Sequence, residues 1–217
     1  MSPVSTWADL GTGQLVLWAL PVAMLVVALF LPGRRWAIAS AIGVAASLLL
    51  VPERGIPRLL IVSWVALWVV VAIVLMVARE PAERWIGRPS GFESGAVGLM
   101  LGAALLALLL AAIARQRLPI EHGLRSALGL SLLAVGLLHL MLRRDSMRAV
   151  MAFAALGFGI QWLDWSARDV LLPVERRDPR AVLLVTALAV GLMSRIAYAR
   201  QQGAGSSWVS DAHDLHD

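Results

Sequence analysis

Seven apolar segments divide this chain, at roughly 14–32, 36–51, 58–78, 95–114, 126–142, 148–163 and 181–198. A helix that crosses a bilayer needs about 20 residues, with a range of about 17–25. The first, third, fourth, fifth and seventh segments meet that length. The second and sixth hold only about 16 residues, about 24 Å of helix, and local thinning or flanking arginines absorb such a mismatch. The expected fold is therefore all-α: a polytopic membrane bundle of about seven transmembrane helices. Residues 1–200 form one transmembrane domain, and 201–217 form a polar tail.

Composition agrees. Hydrophobic residues make up 59% of the 217 and charged residues 15%. Soluble domains are about 45–50% apolar and about 25% charged. The basic excess is scattered between apolar runs and forms no stripe, so nucleic acid is not an expected partner; the lipid bilayer is. The chain has no cysteine, which excludes thiolate metal sites, iron–sulfur ligation and cysteine nucleophiles. All 19 basic residues are arginine, so a retinal or pyridoxal Schiff base has no amine to form on.

The segment boundaries carry the charge. With the amino terminus outside, the inner loops hold ten arginines and the outer loops nine. The bare first segment, with Asp9 as its only nearby charge, tips the orientation to amino terminus out and carboxyl terminus in. That segment lacks a basic leader region and is read as a retained helix, kinked at Pro21. Trp36, Trp85, Trp162 and Trp165 sit near segment ends, where an interfacial aromatic belt is expected. Trp64 and Trp68 share one face of the third helix and read as packing or lipid contact.

Small residues recur at four-residue spacing: Gly43 and Ser47, Gly98 and Gly102, Ala155 and Gly159, Ala187 and Gly191. Such spacing lets helices approach closely, within the bundle or against a partner. Gly98, Gly102 and Gly159 are candidate partner-facing positions. A faint repeat is also visible. Segments one to three and five to seven both read as helix, Arg-Arg hairpin, short helix rich in small residues, longer loop and closing helix.

Intramembrane polar groups are few, and such groups are the default functional candidates. His139 lies near the end of the fifth segment, Gln161 and Asp164 close the sixth, and Arg195 lies near the end of the seventh. His139, Gln161 and Asp164 are the candidate proton relay. Arg195 reads as an interfacial arginine or as the counter-charge to a partner's carboxylate. Asp164 and Arg168 are spaced to pair at the outer surface. A two-histidine haem would need a second flanking histidine, but His122 precedes the same helix. The acidic and histidine-bearing tail, with Asp211, His213, Asp214, His216 and Asp217, reads as solvated or partner-docking. No nucleophile–base set, phosphate loop or metal motif is present, so no catalytic residue, metal site or cofactor is expected.

The stretch 118–163, LPIEHGLRSALGLSLLAVGLLHLMLRRDSMRAVMAFAALGFGIQWL, resembles component E of the hydrogenase-4 and formate hydrogenlyase type of membrane complex. It is also similar to the small K subunit of complex I and the C subunit of Mrp antiporters. The shared features are a Leu-Pro entry, a Gly-Leu start to a Leu-rich helix, a tight arginine hairpin and a glycine-containing helix. By residues the resemblance covers about 118–200. It implies a bacterial inner-membrane subunit of a complex I-like, ion-translocating assembly, with large antiporter-like subunits as partners. It also implies two buried carboxylates and a buried lysine; near those positions this chain has Gly157, Val182 and Trp68. The expected role is an ancillary subunit that joins and seals the membrane arm. The alternatives are a stand-alone transporter or channel, and a proton-relay subunit using His139.

Overall fold

The computed structural model describes residues 12–30, 34–50, 57–78, 120–142, 146–171 and 180–204. They form six helices: α1 (Thr12–Phe30), α2 (Arg34–Leu50), α3 (Arg58–Val77), α4 (Ile120–Leu142), α5 (Ser146–Leu171) and α6 (Ala181–Ala204). Four of them, α3 to α6, contain stretches long and apolar enough to cross a membrane, and α1 holds the shorter apolar run Ala19–Ala28. The segment 95–114, with Gly98 and Gly102, lies outside the described residues, as do Trp85 and the tail from residue 205.

The boundaries of α1, α2 and α3 follow the apolar segments within two residues, and α6 starts with its segment but runs six residues past it, to Ala204. The other two helices are longer than their apolar runs. Helix α4 starts at Ile120 and takes in Arg125; α5 spans 26 residues and continues ten beyond Gln161. Gln161 and Asp164 therefore lie inside α5 and do not close it. Backbone hydrogen bonding continues through polar residues as readily as through apolar ones, so the end of an apolar run is not a helix stop. Pro21 is buried within a helix that runs on to Phe30. Its ring leaves the Leu17 carbonyl without the usual helical donor.

Helix α5 is the centre of the bundle. It packs against α4 and α6 and also touches α2 and α3, while α1 packs on α2 and α4. The tightest contact is the antiparallel α4–α5 hairpin. A Cβ on Gly159 would lie 2.8 Å from the Gly129 carbonyl oxygen and 2.9 Å from the Leu133 amide nitrogen. A Cβ on Gly129 would lie 2.9 Å from the Gly159 oxygen. Gly136 is likewise pressed on the Leu156 backbone at 3.1 Å, and Gly157 admits the Thr186 side chain of α6. In lipid, apolar surface gains little by leaving the solvent, so close backbone approach and dispersion supply the cohesion. Gly159, expected at a partner-facing position, thus spends its missing side chain inside the chain.

Hydroxyls are satisfied locally. Ser47, Ser63, Ser131, Thr186 and Ser194 each donate to a carbonyl three or four residues back, at 2.6–2.7 Å. This is the economical arrangement where water is absent. The Ser126–Ser166 hydroxyl pair, at 2.6 Å, instead ties α4 to α5.

These contacts fix helix direction. Arg148, at the start of α5, and His139, near the end of α4, both reach the last turns of α1. The ends of α1 and α4 and the starts of α2 and α5 therefore share one end of the bundle, here the hairpin end. Trp64, early in α3, meets Gln161, about 22 Å along α5 from that end. Val77, which closes α3, lies about 20 Å beyond Trp64 in the opposite direction to α5, so α3 also finishes at the hairpin end. The triplets α1–α3 and α4–α6 consequently run in the same sense, and α1 touches α4, α2 touches α5 and α3 touches α6.

Candidate functional site

Among the described residues, two buried polar places stand out besides the hydroxyls and Arg125. The first is on α5, facing α3. Gln161 is fully buried. Its Oε1 accepts from Trp64 Nε1 at 3.4 Å, and its Nε2 donates to Asp164 Oδ2 at 3.4 Å. Both bonds are long beside the usual 2.9–3.0 Å, so they orient the amide more than they anchor it. The helical (i, i+3) spacing brings Gln161 and Asp164 together without further help. Asp164 is half-buried and is the only acid whose side chain is among the described residues.

Aromatic rings enclose this place. Phe158 packs on Trp64 at 5.1 Å, on Trp68 at 6.2 Å and on Trp162 at 6.0 Å, and Trp162 packs on Trp165 at 5.2 Å. The last three are edge-to-face, each worth about 0.5–1.5 kcal/mol beyond area burial. Trp162 and Trp165 are 1% and 5% exposed, so they are core residues and not part of an interfacial belt. The continuation of α5 past them is the reason. Trp36 is 49% exposed and keeps its expected place at a helix end. The Nε1 atoms of Trp68 and Trp165 are buried with no hydrogen-bond partner among the described residues.

The second place lies where α4 and α5 meet α1. His139 is 1% exposed, and its Nε2 is 3.0 Å from the Leu25 carbonyl oxygen. A carbonyl only accepts, so Nε2 carries the proton. Arg148 is 8% exposed and donates from Nη1 to the Ala28 carbonyl oxygen at 2.9 Å. Ala28 is in the last turn of α1, where carbonyls lack helical donors and the helix dipole is negative, so a guanidinium there is doubly favoured. Sequence reasoning placed Arg148 in a loop and missed this role, since its acceptor is a backbone oxygen 120 residues away.

The candidate relay is therefore divided. Gln161 and Asp164 are neighbours. His139 sits on a different helix against α1, well nearer the hairpin end. Arg195 is exposed on α6, nine residues past Thr186; Thr186 meets Gly157, and Gly157 is nine residues past Arg148. Because α6 runs back along α5, Arg195 stands level with Arg148 at the hairpin end. The side chains of Arg168 and His122 lie outside the described residues, although His122 falls within α4. Sequence reasoning also missed Arg125, which is 7% exposed on α4. Its signal, an arginine among Leu and Ala, was lost by starting the helix one residue later. Among the described residues no cluster of three or more potential metal ligands is present.

Chemically, the first place offers a hydrogen-bonding amide and a carboxylate behind aromatic rings, and the second offers two cationic or proton-bearing side chains already engaged by backbone. No family model, curated protein or solved structure matches this chain.

Proposed function

We propose that this all-helical, membrane-compatible chain is an ancillary subunit of the membrane arm of a complex I-like, ion-translocating assembly, similar to hydrogenase-4 component E. The observation that carries the reading is α6. Its 22-residue apolar stretch is only 17% buried, against 72% for the corresponding stretch of α5. Leu184, Leu188, Leu192 and Ile196 form an exposed stripe along it. A helix so little covered by its own chain is suited to lie against a partner's helices. The carboxylate-poor interior agrees with a role in joining rather than in conducting protons.

In this reading the chain spans a bacterial inner membrane seven times. The direction of the described helices supports the count. Helix α3 finishes at the hairpin end, and α4 starts at the opposite end. The intervening residues 79–119 therefore have to pass from one end to the other, and 95–114 is uncharged and long enough to do so. The hairpin end, with Arg34, Arg35, Arg148, Arg195 and Arg200, is assigned to the cytoplasm. The amino terminus is then outside and the carboxyl terminus inside.

The test is purification of the tagged full chain in mild detergent, followed by native gel and mass spectrometry. Large antiporter-like subunits in fixed ratio are the expected result. A chain that runs alone or as a homo-oligomer overturns the proposal.

A second reading, a stand-alone transporter, is favoured by one observation: the two triplets run in the same sense, as parallel repeats do in some transporter folds. It requires solute flux into liposomes containing the purified chain alone.

A further inference from the structure

We infer that Thr186 is the latch that sets the rotation and axial register of α6 on the bundle, and so decides which side of α6 faces outward. The inference stands on contacts within the chain; only its consequence for docking rests on the assembly reading.

Hydropathy does not fix α6. Among its described residues the buried ones are Thr186, Val190 and Ala197. Offsets of four and eleven positions place them on one narrow face of a 3.6-residue helix. On the outer side stand Leu184, Leu188, Leu192 and Ile196, at least as apolar as the residues turned inward. In lipid, neither face gains much by leaving the solvent. A rotated α6 would therefore be almost as well solvated as the one observed, so shape has to discriminate between them.

Gly157 of α5 supplies the shape. A Cβ there would collide with Thr186 Oγ1 and Cγ2 and lie 2.6 Å from Thr186 Cβ. The threonine side chain thus fills the room that any other residue at 157 would take. Gly159, two positions on, is pressed against α4 and is not open to α6. Gly191, on α6 itself, has nothing within 4 Å of its would-be Cβ and offers no reciprocal notch. The fit is one knob from α6 in one hole on α5.

The knob is also stiff. Thr186 Oγ1 donates to the Val182 carbonyl oxygen at 2.7 Å. That bond turns the hydroxyl back along its own helix and holds χ1, so both branches at Cβ are fixed. A slip of one residue would carry this wedge about 1.5 Å along the axis and about 100° around it, out of the notch. The same slip would swing the outer stripe toward the bundle. In the assembly reading, the latch is what keeps that stripe turned to a partner.

The experiment is a spin-label distance measurement on the full chain in detergent. Labels are placed at Leu192→Cys on α6 and Met141→Cys at the end of α4, both exposed in a chain with no native cysteine. The parent should give one narrow distance. G157A should shift the mean by at least about 3 Å or broaden it, since rotation carries the label around the helix. G157A/T186G, with the knob moved to the other helix, should restore the parent distance, which a general loss of stability would not do. T186V keeps the wedge without the hydroxyl bond and should match the parent. A broad distance in the parent overturns the inference, as does an unchanged one in G157A, a failure of G157A/T186G to restore it, or a shifted one in T186V. Should G157A not fold, T186A is the second variant: it empties the notch, and a distance as narrow as the parent's removes the latch.

Discussion

Arg148 donates from Nη1 to the carbonyl oxygen of Ala28, 2.9 Å away, and so closes the end of one helix with the start of another 120 residues distant. The bond fixes which end of α1 faces the α4–α5 hairpin. Together with the His139–Leu25 contact it sets the common direction of the two triplets.

Arg148→Met should lower unfolding stability in detergent by about 2 kcal/mol, the range for a buried hydrogen bond to a charged group. Arg195→Met, exposed at the same level, should change it by less than about 0.5 kcal/mol. Denaturation followed by tryptophan fluorescence checks both.

Substitutions at two glycines should act with opposite sign. Gly159→Ala forces a methyl against the backbone of Gly129 and Leu133 and should cost about 1–3 kcal/mol. Gly191 has nothing within 4 Å of its would-be Cβ, so Gly191→Ala should stabilise the isolated chain by up to about 1 kcal/mol through helix propensity. If α6 docks on a partner, Gly191→Leu should reduce co-purification while leaving the chain's own melting intact.

His139→Ala removes one bond to a carbonyl that also accepts within its own helix. With the void left by a ring that is 1% exposed, the expected loss is about 2–4 kcal/mol, with normal assembly and unchanged ion translocation by the complex. Loss of pumping with normal assembly would transfer the relay role back to His139.

Trp64→Phe keeps a ring against Phe158 but removes the 3.4 Å bond to Gln161. A bond that long predicts a cost below about 1 kcal/mol. Trp64→Ala should cost about 3 kcal/mol or more, from the void left beside Phe158.

The absence of native cysteine permits single-cysteine mapping. Arg79→Cys and Glu121→Cys should react with an impermeant maleimide from opposite sides of the membrane. Reaction from the same side would contradict a crossing between α3 and α4.

Much of this fold was legible in the sequence because arginines punctuate apolar runs: Arg34 and Arg35 before α2, Arg58 before α3, Arg180 before α6. The repeat of three helices was visible for the same reason. The reading failed where polarity occurs inside a helix. Gln161 and Asp164 looked like a terminus because hydropathy drops there, yet α5 continues, and that shift moved Trp162 and Trp165 from a presumed rim to the core. The partners of Arg148 and His139 could not be read at all, since a backbone carbonyl has no signature in the residue that carries it. The pairing of Trp64 with Gln161 spans 97 positions and becomes visible only when α3 is laid against α5.

The facing glycines of the α4–α5 hairpin divide the molecule into parts that can change and parts that cannot. Where Gly129 meets Gly159, neither helix can accept even a methyl group unless the other retreats. Variation there has no single-step route. The outer side of α6 has no such constraint, because almost none of the described residues rests on it. New binding partners can therefore be acquired by altering α6 alone, while the hairpin behind it stays frozen.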